Sequence, residues 1–380
     1  MKIDNLIGGL KMSPYHGPRK GSVGDVDPLV GILIDRERRR QREKIVLIPS
    51  ESICPPAVLE ALASPFSNIY AEGYPWKRTL DEGEETLADI PFQHARHRRY
   101  YDRRFYKGCE NANLIEALAG RRARELFATR KNPAELFFAN VQPLSGAAAN
   151  NAVYTALLEP GDVIMGMSLM HGGHLTHGSE FNRSGKTYRA ACYEVSPATE
   201  RLDYDDIMKR AKECRPRLII AGYTSYPWAP DWQKFREIAD AVGALLLADV
   251  AHPAGMIAAG VFPNPIDFAD VVTFTTHKTL FGPRGAVILT PSREIAERVD
   301  GAVFPGEQGG PHVNVFAALA VAFGIAKTDA FRVTQKRIVE NARRFASALE
   351  GKGLTLAYGG TDTHLLVVDL KPLKRRAGFP

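Results

Sequence analysis

The sequence is poor in the features that mark secreted, membrane-spanning and zinc-binding proteins. It has only four cysteines in 380 residues, at Cys54, Cys109, Cys192 and Cys214, and no C-x-x-C pair. Scattered cysteines of this kind are typical of reduced thiols in the cytoplasm, where we expect the protein to be. No run approaches ~18–20 uninterrupted apolar residues, so no membrane span is predicted. The first 20 residues lack an apolar segment with a small-residue cleavage site, which argues against a secretory signal.

The remaining composition sets only broad limits. The net charge is +6 and the sequence pI about 9.0, which suits anionic ligands without selecting any of them. Hydrophobic residues make up 45% and charged residues 24%, as in ordinary globular proteins. A chain of this length is too long for one small core, so we predict a large domain with a smaller piece.

A layered α/β domain is predicted from about residue 134 onward. Helical stretches at 147–159 and 231–243 alternate with short apolar runs that lack polar alternation, and such runs are buried on both faces. The five runs are 162–167, 217–223, 244–250, 270–276 and 285–290. We therefore predict an open, mostly parallel sheet between helices. Upstream, residues 1–30 are predicted to form a loosely ordered arm, followed by a charged helix at 30–44.

Chemically reactive side chains follow these runs, at the edge where an open sheet binds its ligands. They are Asp249 with His252, His277 with Lys278, Thr224, and the H-G-G-H-L-T-H segment 171–177. Because the runs are separate in sequence but their ends meet at one edge, we predict one site from these residues.

Three of these features together describe pyridoxal phosphate. A lysine at a buried strand end has its pKa lowered by desolvation, which makes Lys278 a nucleophile toward an aldehyde. Asp249 on a neighbouring strand suits a protonated pyridine nitrogen. Ser145 and Gly146 open a helix whose first backbone N–H groups suit a phosphate.

Each signal also has an ordinary structural interpretation. A lone lysine after an apolar run is usually a solvated strand end, and Ser-Gly at a helix start is usually only a cap. The spacing of His171, His174 and His177 could suggest a metal site. No cysteine or glutamate completes a ligand set, however, and the two glycines after His171 favour a backbone close to a ligand. We predict no metal, and stacking of one imidazole on the cofactor.

Longer segments of the sequence resemble serine hydroxymethyltransferases, pyridoxal-phosphate enzymes of the fold-type I, aminotransferase-like class. These segments are SNIYAEGYP (67–75), NVQPLSGAAANNAVYTALLEPGD (140–162), MHGGHLTHG (170–178), DVAHPAGMIAAGVFPNP (249–265), TTHKTLFGPRGAVIL (275–289) and VFPGEQGGP (303–311). The resemblance implies an N-terminal arm and helix at 1–65 and a cofactor-binding large domain at 66–315. It further implies a linking helix and the start of a truncated C-terminal small domain at 316–380.

The resemblance also implies roles for individual residues. Lys278 would form the Schiff base with pyridoxal 5'-phosphate, Asp249 would pair with the ring nitrogen, and His174 would stack on the ring. The full cofactor set would be Lys278, Asp249, His252, His174, Ser145, Gly146, Thr224, Tyr70 and Gly309, the last two from a second subunit. The catalytic residues would be Lys278, Glu72, His277 and Thr275. The amino-acid substrate would meet Ser50, Tyr106 and Arg284, and the folate would meet Leu169, Gly173, Leu175 and Phe105.

The implied activity is the interconversion of serine and glycine, with transfer of the hydroxymethyl one-carbon unit to tetrahydrofolate as co-substrate. The implied assembly is a homodimer, or a tetramer built from it. Two alternatives are a folate-independent 3-hydroxy amino acid aldolase and a non-catalytic, RNA-binding relative. The motive for RNA is the basic and aromatic stretch at 94–107. We favour a solvated segment that braces the dimer.

The sequence departs from the family pattern in four respects. It ends at Pro380, where the family continues through a domain that supplies an arginine for the substrate carboxylate. We therefore expect turnover to suffer more than cofactor binding. An insertion lies at about 79–103. Leu144 and Ala147 stand where the family usually has histidine and a phosphate-binding serine. Glu307 replaces a usual glycine near the phosphate.

Overall fold

A computed structural model of the chain describes residues 22–100 and 102–373. Of the loosely ordered arm predicted at 1–30, residues 1–21 lie outside that description, as do residues 374–380, whereas 23–26 and 28–30 are helical. The α-helices are α1 (Val23–Val26), α2 (Pro28–Glu43), α3 (Pro56–Leu62), α4 (Lys77–Leu80), α5 (Glu84–Ala88), α6 (Ile90–Arg99), α7 (Glu110–Phe127), α8 (Gly146–Leu157), α9 (Arg183–Thr187), α10 (Tyr204–Cys214), α11 (Trp232–Val242), α12 (Ala254–Ala258), α13 (Arg293–Gly301), α14 (Val313–Ala326) and α15 (Asp329–Gly351). The strands are β1 (Gly73–Tyr74), β2 (Arg103–Arg104), β3 (Phe138–Asn140), β4 (Val163–Met167), β5 (Arg189–Tyr193), β6 (Leu218–Gly222), β7 (Leu245–Asp249), β8 (Val271–Thr275), β9 (Ala286–Thr290), β10 (Thr355–Ala357) and β11 (Val367–Asp369).

The chain divides into two compact units, Met1–Ile48 and Pro49–Pro380. The described part of the first contains α1 and α2. Asp27 caps α2 by accepting from the Val30 N–H at 3.1 Å, and Pro28 occupies the first helical position, where its missing N–H costs nothing. The charged helix predicted at 30–44 is thus present, with its start two residues earlier. The predicted functional residues all belong to the second unit.

The second unit is built around a seven-stranded sheet in the order β3-β9-β8-β7-β6-β4-β5. The five strands from β8 to β5 are parallel, while β9 runs antiparallel to β8 and β3 antiparallel to β9. This confirms the predicted mostly parallel sheet, and the five predicted runs match β4, β6, β7, β8 and β9 to within one residue at each end. No helix connects β8 to β9, so β9 returns directly beside β8 and the turn between them remains at the carboxyl edge.

Sequence reasoning missed the two strands at the edges of this sheet. β3 has only three residues, and most of β5 is exposed. Edge strands are often short and lack the continuous apolar pattern of central ones. In contrast, every residue of β6, β8 and β9 is buried, which is why their apolar runs could be recognised.

Helix α14 fills the space beside the sheet and packs against α3 and α7. It is apolar nearly all round, as a buried helix must be. Within residues 22–100 and 102–373 no single helix is long and apolar enough to cross a membrane. Taken together, α14 and α15 have the length and composition of a membrane span, but the pair is bent by 79° at its junction.

Candidate active site

Asp249 is the last residue of β7, at the carboxyl edge of the sheet. Its Oδ2 accepts a hydrogen bond from Asn150 Nδ2 at 2.8 Å and lies 3.0 Å from His177 Nε2. Burial raises the pKa of this carboxyl, but the hydrogen bond and charge of His177 more than reverse the effect, so the pKa lies below its ordinary value. Asp249 is therefore a buried, ionised carboxylate.

A buried amide fixes the orientation of this carboxylate. Asn150 on α8 is fully buried and donates to Thr176 Oγ1 at 2.9 Å as well as to Asp249. Its Oδ1 accepts from Thr273 Oγ1 at 2.8 Å. Turning the side chain would leave buried polar groups without partners, at about 1–3 kcal/mol each. Sequence analysis assigned Asn150 no role, because nothing within segment 140–162 distinguishes this asparagine from its neighbours.

Lys278 lies in the turn between β8 and β9. The turn is held by Thr276, whose Oγ1–H and N–H both donate to backbone carbonyls across it, at 2.6 and 3.1 Å. Burial lowers the pKa of the Lys278 amine, Asp249 opposes this, and Arg284 adds to it. In the described part of the chain no ion pair or hydrogen bond holds its Nζ. The lowered pKa increases the share of the neutral amine, which is the form that attacks a carbonyl.

The residues beside Lys278 have separate functions in the turn. Thr275 is buried at the end of β8 and places its methyl group against Gly146, where a Cβ would come within 2.7 Å. A side chain at Gly146 would therefore displace β8 or the start of α8. His277 Nε2 accepts from Arg284 Nη1 at 3.4 Å. Burial, followed by the charges of Arg284 and Lys278, lowers the pKa of His277 to about 4, so its ring is neutral at neutral pH.

His174 contributes a second neutral ring near Asp249. Its Nδ1 accepts from the Thr176 N–H at 3.2 Å, which leaves the proton of the neutral ring on Nε2. Burial lowers its pKa, although the charge of Asp249 works in the opposite direction. The centre of its ring lies 5.6 Å from that of His177. We call Asp249, Asn150, Lys278, His174 and His177 the sheet-edge cluster.

His252 adjoins this cluster and is paired with a histidine that sequence reasoning missed. Its Nδ1 lies 3.2 Å from Nε2 of His364, and the two rings stack with centres 5.3 Å apart. Burial, with the charge of Lys278, lowers the pKa of both rings, that of His364 to about 4. When both imidazoles are neutral, one ring donates its N–H in this contact and the other accepts. The tautomer of His364 therefore determines which nitrogen of His252 carries the hydrogen. The two histidines are 112 positions apart in the sequence, so sequence analysis did not connect them.

The first N–H groups of α8, at Gly146 and Ala147, have no hydrogen-bond partner among the described residues and lie beside Thr275. Ser145 is the N-cap, and its Oγ accepts from the Ala148 N–H at 3.3 Å. Gln308 reaches the same loop, donating to Gln142 O at 2.8 Å and accepting from the Leu144 N–H at 3.3 Å. The positive end of a 12-residue helix with an exposed cap is suited to bind an anion.

A second group of predicted residues gathers around β1 and β2. The Tyr106 hydroxyl donates to Glu72 Oε2 at 2.6 Å, and the rings of Tyr70 and Tyr106 meet edge to face at 5.8 Å. Gly309 packs beside Glu72. Tyr70 and Tyr106 are 64% and 45% exposed, and across the described residues no hydrogen bond joins this group to the sheet-edge cluster. We call Tyr70, Glu72 and Tyr106 the hairpin cluster.

The chain as a whole is similar to proteins of known family. The sequence model of the family described as serine hydroxymethyltransferase matches residues 23–99 and 92–378. The serine hydroxymethyltransferase of Crocosphaera subtropica (strain ATCC 51142 / BH68) is 48% identical over 349 residues, which are 92% of this chain and 74% of that protein. The chain belongs to the serine hydroxymethyltransferase family. This confirms the resemblance drawn from the sequence.

One departure from the family pattern is explained by the fold. Glu307, predicted to lie near the phosphate, is held by Arg183 Nη1 at 2.5 Å and by Thr155 Oγ1 at 2.8 Å. Its charge is therefore neutralised on the outer side of α8. Ala147 and Leu144, by contrast, bring no polar side chain to the start of this helix.

The two segments that match the serine hydroxymethyltransferase family overlap within α6, in the region predicted to be an insertion. Three of its basic side chains have acidic partners. Arg96 forms an ion pair with Glu82, and Arg103 lies 3.7 Å from Asp300. The His97 ring lies between the carboxylates of Asp102 and Glu110, at 3.5 and 3.7 Å. The charge available to a nucleic acid is therefore smaller than the sequence suggests.

The remaining predicted site residues occupy the surroundings of the sheet-edge cluster or the surface. The Thr224 N–H donates to Gly172 O at 2.7 Å, which ties the end of β6 to the glycine pair. The other residues are Gly173, which is buried, Ser50, which is half-buried in a turn, and Leu169, Leu175, Phe105 and Arg284, which are exposed. In residues 22–100 and 102–373 no group of three or more His, Cys, Asp and Glu could hold a metal ion.

Proposed function

We propose that this member of the family interconverts serine and glycine and transfers the hydroxymethyl carbon to tetrahydrofolate, with pyridoxal 5'-phosphate as cofactor. The observation that supports this best is the sheet-edge cluster. There a buried carboxylate kept ionised by His177 and Asn150 neighbours a lysine whose pKa burial lowers. A fixed anion and a reactive amine are what the ring nitrogen and the aldehyde of this cofactor require.

The residues present fit that cofactor at three further points. The neutral ring of His174 suits stacking on the cofactor ring. The neutral ring of His252 suits a hydrogen bond to the cofactor's ring hydroxyl, with Thr224 near that hydroxyl. Ser145 and Gly146 at the start of α8 suit the phosphate. When bound, pyridoxal phosphate supplies an electron sink for the bond that breaks in the amino acid.

The protein's own side chains would orient the reactants and move protons. Lys278 would hold the cofactor and, once its amine is free, would act as a base. Thr275 and the neutral ring of His277 would keep the β8–β9 turn in place. Glu72 would exchange a proton with the substrate hydroxyl, and the Tyr106 hydroxyl, which donates to Glu72 at 2.6 Å, would orient that carboxylate. Ser50, Tyr106 and Arg284 would serve the substrate carboxylate. The folate would meet Leu169, Gly173, Leu175 and Phe105.

The assembly we propose is a homodimer in which the hairpin cluster of one subunit completes the site of the other. Two exposed tyrosines beside a half-buried carboxylate support this, because exposed tyrosines are typical of interfaces. Tyr70 and Gly309 would then reach the partner's cofactor. The cytoplasm remains the proposed compartment, on the cysteine composition given above.

The test is to add pyridoxal phosphate, reduce with borohydride and map the labelled peptide, and then to follow serine cleavage with and without tetrahydrofolate. We expect label on Lys278 and folate-dependent cleavage. Label elsewhere, or none, would refute the cofactor assignment. Cleavage of 3-hydroxy amino acids at equal rates without folate would identify the aldolase instead. Salt-sensitive RNA retention by a protein that takes no label would favour the non-catalytic alternative.

A further inference from the structure

Arg104 was only part of a basic stretch in the sequence, but its guanidinium is completely buried, with a side-chain exposure of 0%. It lies on β2, which pairs with β1 so that Arg104 is opposite Gly73. Gly73 has φ of +95°, and a Cβ there would come within 2.1 Å of Arg103 O. The two strands therefore approach more closely than any other residue at Gly73 would allow.

The guanidinium holds the backbone on both sides of Glu72. Its Nη1 donates to Ala71 O at 2.8 Å and to Gly73 O at 2.7 Å. The next residue along, Phe105, donates its N–H to Glu72 O at 3.0 Å. Three consecutive carbonyls around Glu72 thus accept hydrogen bonds from residues 104 and 105. The same short segment carries Tyr106, the donor to the Glu72 carboxylate.

The other side of Arg104 is anchored in the body of the protein. Its Nε donates to Asn113 Oδ1 at 2.8 Å, and Nη2 pairs with the buried carboxylate of Glu116, both on α7. Gln142 donates to Glu116 Oε1 and to Gly73 O, each at 2.9 Å. A guanidinium offers five donors in a fixed plane, so it can make these contacts at once where an ammonium cannot.

We propose that Arg104 is a positioning residue that sets the place of the Glu72 carboxylate and of the Tyr106 hydroxyl, without touching the substrate itself. This inference rests on the function proposed for Glu72. It makes the arginine responsible for the geometry of proton transfer at the hairpin cluster, and not for cofactor binding.

The experiment compares Arg104→Lys with Arg103→Lys, a change at the neighbouring residue of the same strand, in the cofactor-loaded protein. We expect Arg104→Lys to lower kcat for serine about 10- to 100-fold through misplacement of the acid–base group. The affinity for pyridoxal phosphate should stay unchanged, and Arg103→Lys should behave as the wild type. The double variant Arg104→Lys with Glu72→Gln should have the same kcat as Glu72→Gln alone, because both changes impair the same proton transfer. Additive losses, or full activity, would overturn the proposal.

A second variant guards against a simple failure to fold. Arg104→Met combined with Glu116→Met removes both members of the buried ion pair, a change that proteins often tolerate. It also removes the Arg104 donors to Ala71 O and Gly73 O and leaves only the Gln142 bond to Gly73 O, so the same loss of kcat and the same lack of additivity are expected. Wild-type kcat in a folded double variant would refute the role.

A readout independent of turnover separates this inference from the proposed function. The hydrogen bond to Glu72 raises the pKa of Tyr106, and this ionisation can be followed as the ultraviolet difference between each protein and its Tyr106→Phe counterpart. Arg104→Lys should move that pKa back toward the ordinary value, and an unmoved titration would contradict the positioning. If the wild type cleaves no serine, the proposed function fails, while this titration still decides the place of Tyr106 beside Glu72.

Discussion

The sheet-edge cluster and the hairpin cluster are held in opposite ways. In the first, the central carboxylate is fixed by side chains from elsewhere in the fold, as Asn150 fixes Asp249 from α8. In the second, the two tyrosine side chains are exposed and Glu72 is half-buried, while Arg104 and Phe105 fix the backbone. Buried networks give a rigid seat for a ligand, while an exposed group on a fixed backbone can enter a second molecule. The first cluster is therefore suited to hold a cofactor, and the second to complete a partner's site.

The largest effect should come from the sheet-edge cluster. Lys278→Ala removes the one amine placed beside Asp249, so we expect loss of borohydride-fixed cofactor and a fall in serine cleavage of at least about 10³-fold. Peptide mapping and a coupled folate assay measure the two. Lys186→Ala, at an exposed lysine on α9, is the control and should change neither. Retained labelling at another lysine would show that the amine lies elsewhere.

Glu72→Gln tests whether the two clusters have different functions. The amide keeps the shape and the contact with Tyr106 but cannot take up a proton, so kcat should fall about 10²- to 10⁴-fold. Cofactor affinity, measured by equilibrium dialysis, should not change, because Tyr70, and not Glu72, is the residue of the hairpin cluster that we place at the cofactor. A parallel loss of cofactor would show that Glu72 also serves cofactor binding.

Mixing the two inactive variants tests whether the clusters meet between subunits. Lys278→Ala and Glu72→Gln homodimers are each inactive, but a heterodimer would have one site with both residues intact. After unfolding and refolding an equal mixture, about a quarter of wild-type activity should return if the subunits combine at random. Wild-type protein unfolded and refolded with either single variant is the control, and its recovered activity gives the yield of refolding. No recovery would place both clusters in one subunit's site.

The smallest effect concerns His364 at the border of the sheet-edge cluster. Burial lowers its pKa from 6.5 to about 4, so the unfolded chain binds more protons than the folded one between these values. Stability therefore decreases as pH falls through this window, by at most about 1.4 kcal/mol per unit for one group. His364→Phe should make urea midpoints less steeply dependent on pH from 6.5 to 4. An identical slope in the variant would show that the ring titrates normally.

The sequence predicted the parts of the fold and the site that depend on local pattern. Lys278, Asp249 and His252 could be found because each follows a buried apolar run, and such runs are strands whose ends meet. Asn150 and His364 could not, because their importance arises from contacts across 99 and 112 residues. Arg104 was misjudged for a different reason. A charged residue is normally solvated, and nothing in the sequence shows that four carbonyl and carboxylate partners enclose it.

The hairpin of β1 and β2 has a consequence for engineering the chain. The segment between β1 and β2 connects two strands that are only two residues long each. Its helices α4, α5 and α6 pack against α7. Lengthening such a connection adds only about 0.6 kcal/mol of closure entropy per doubling. A reporter domain grafted between α5 and α6 would therefore leave the register of β1 and β2 untouched. The site could carry a label that reports when the hairpin cluster engages a partner.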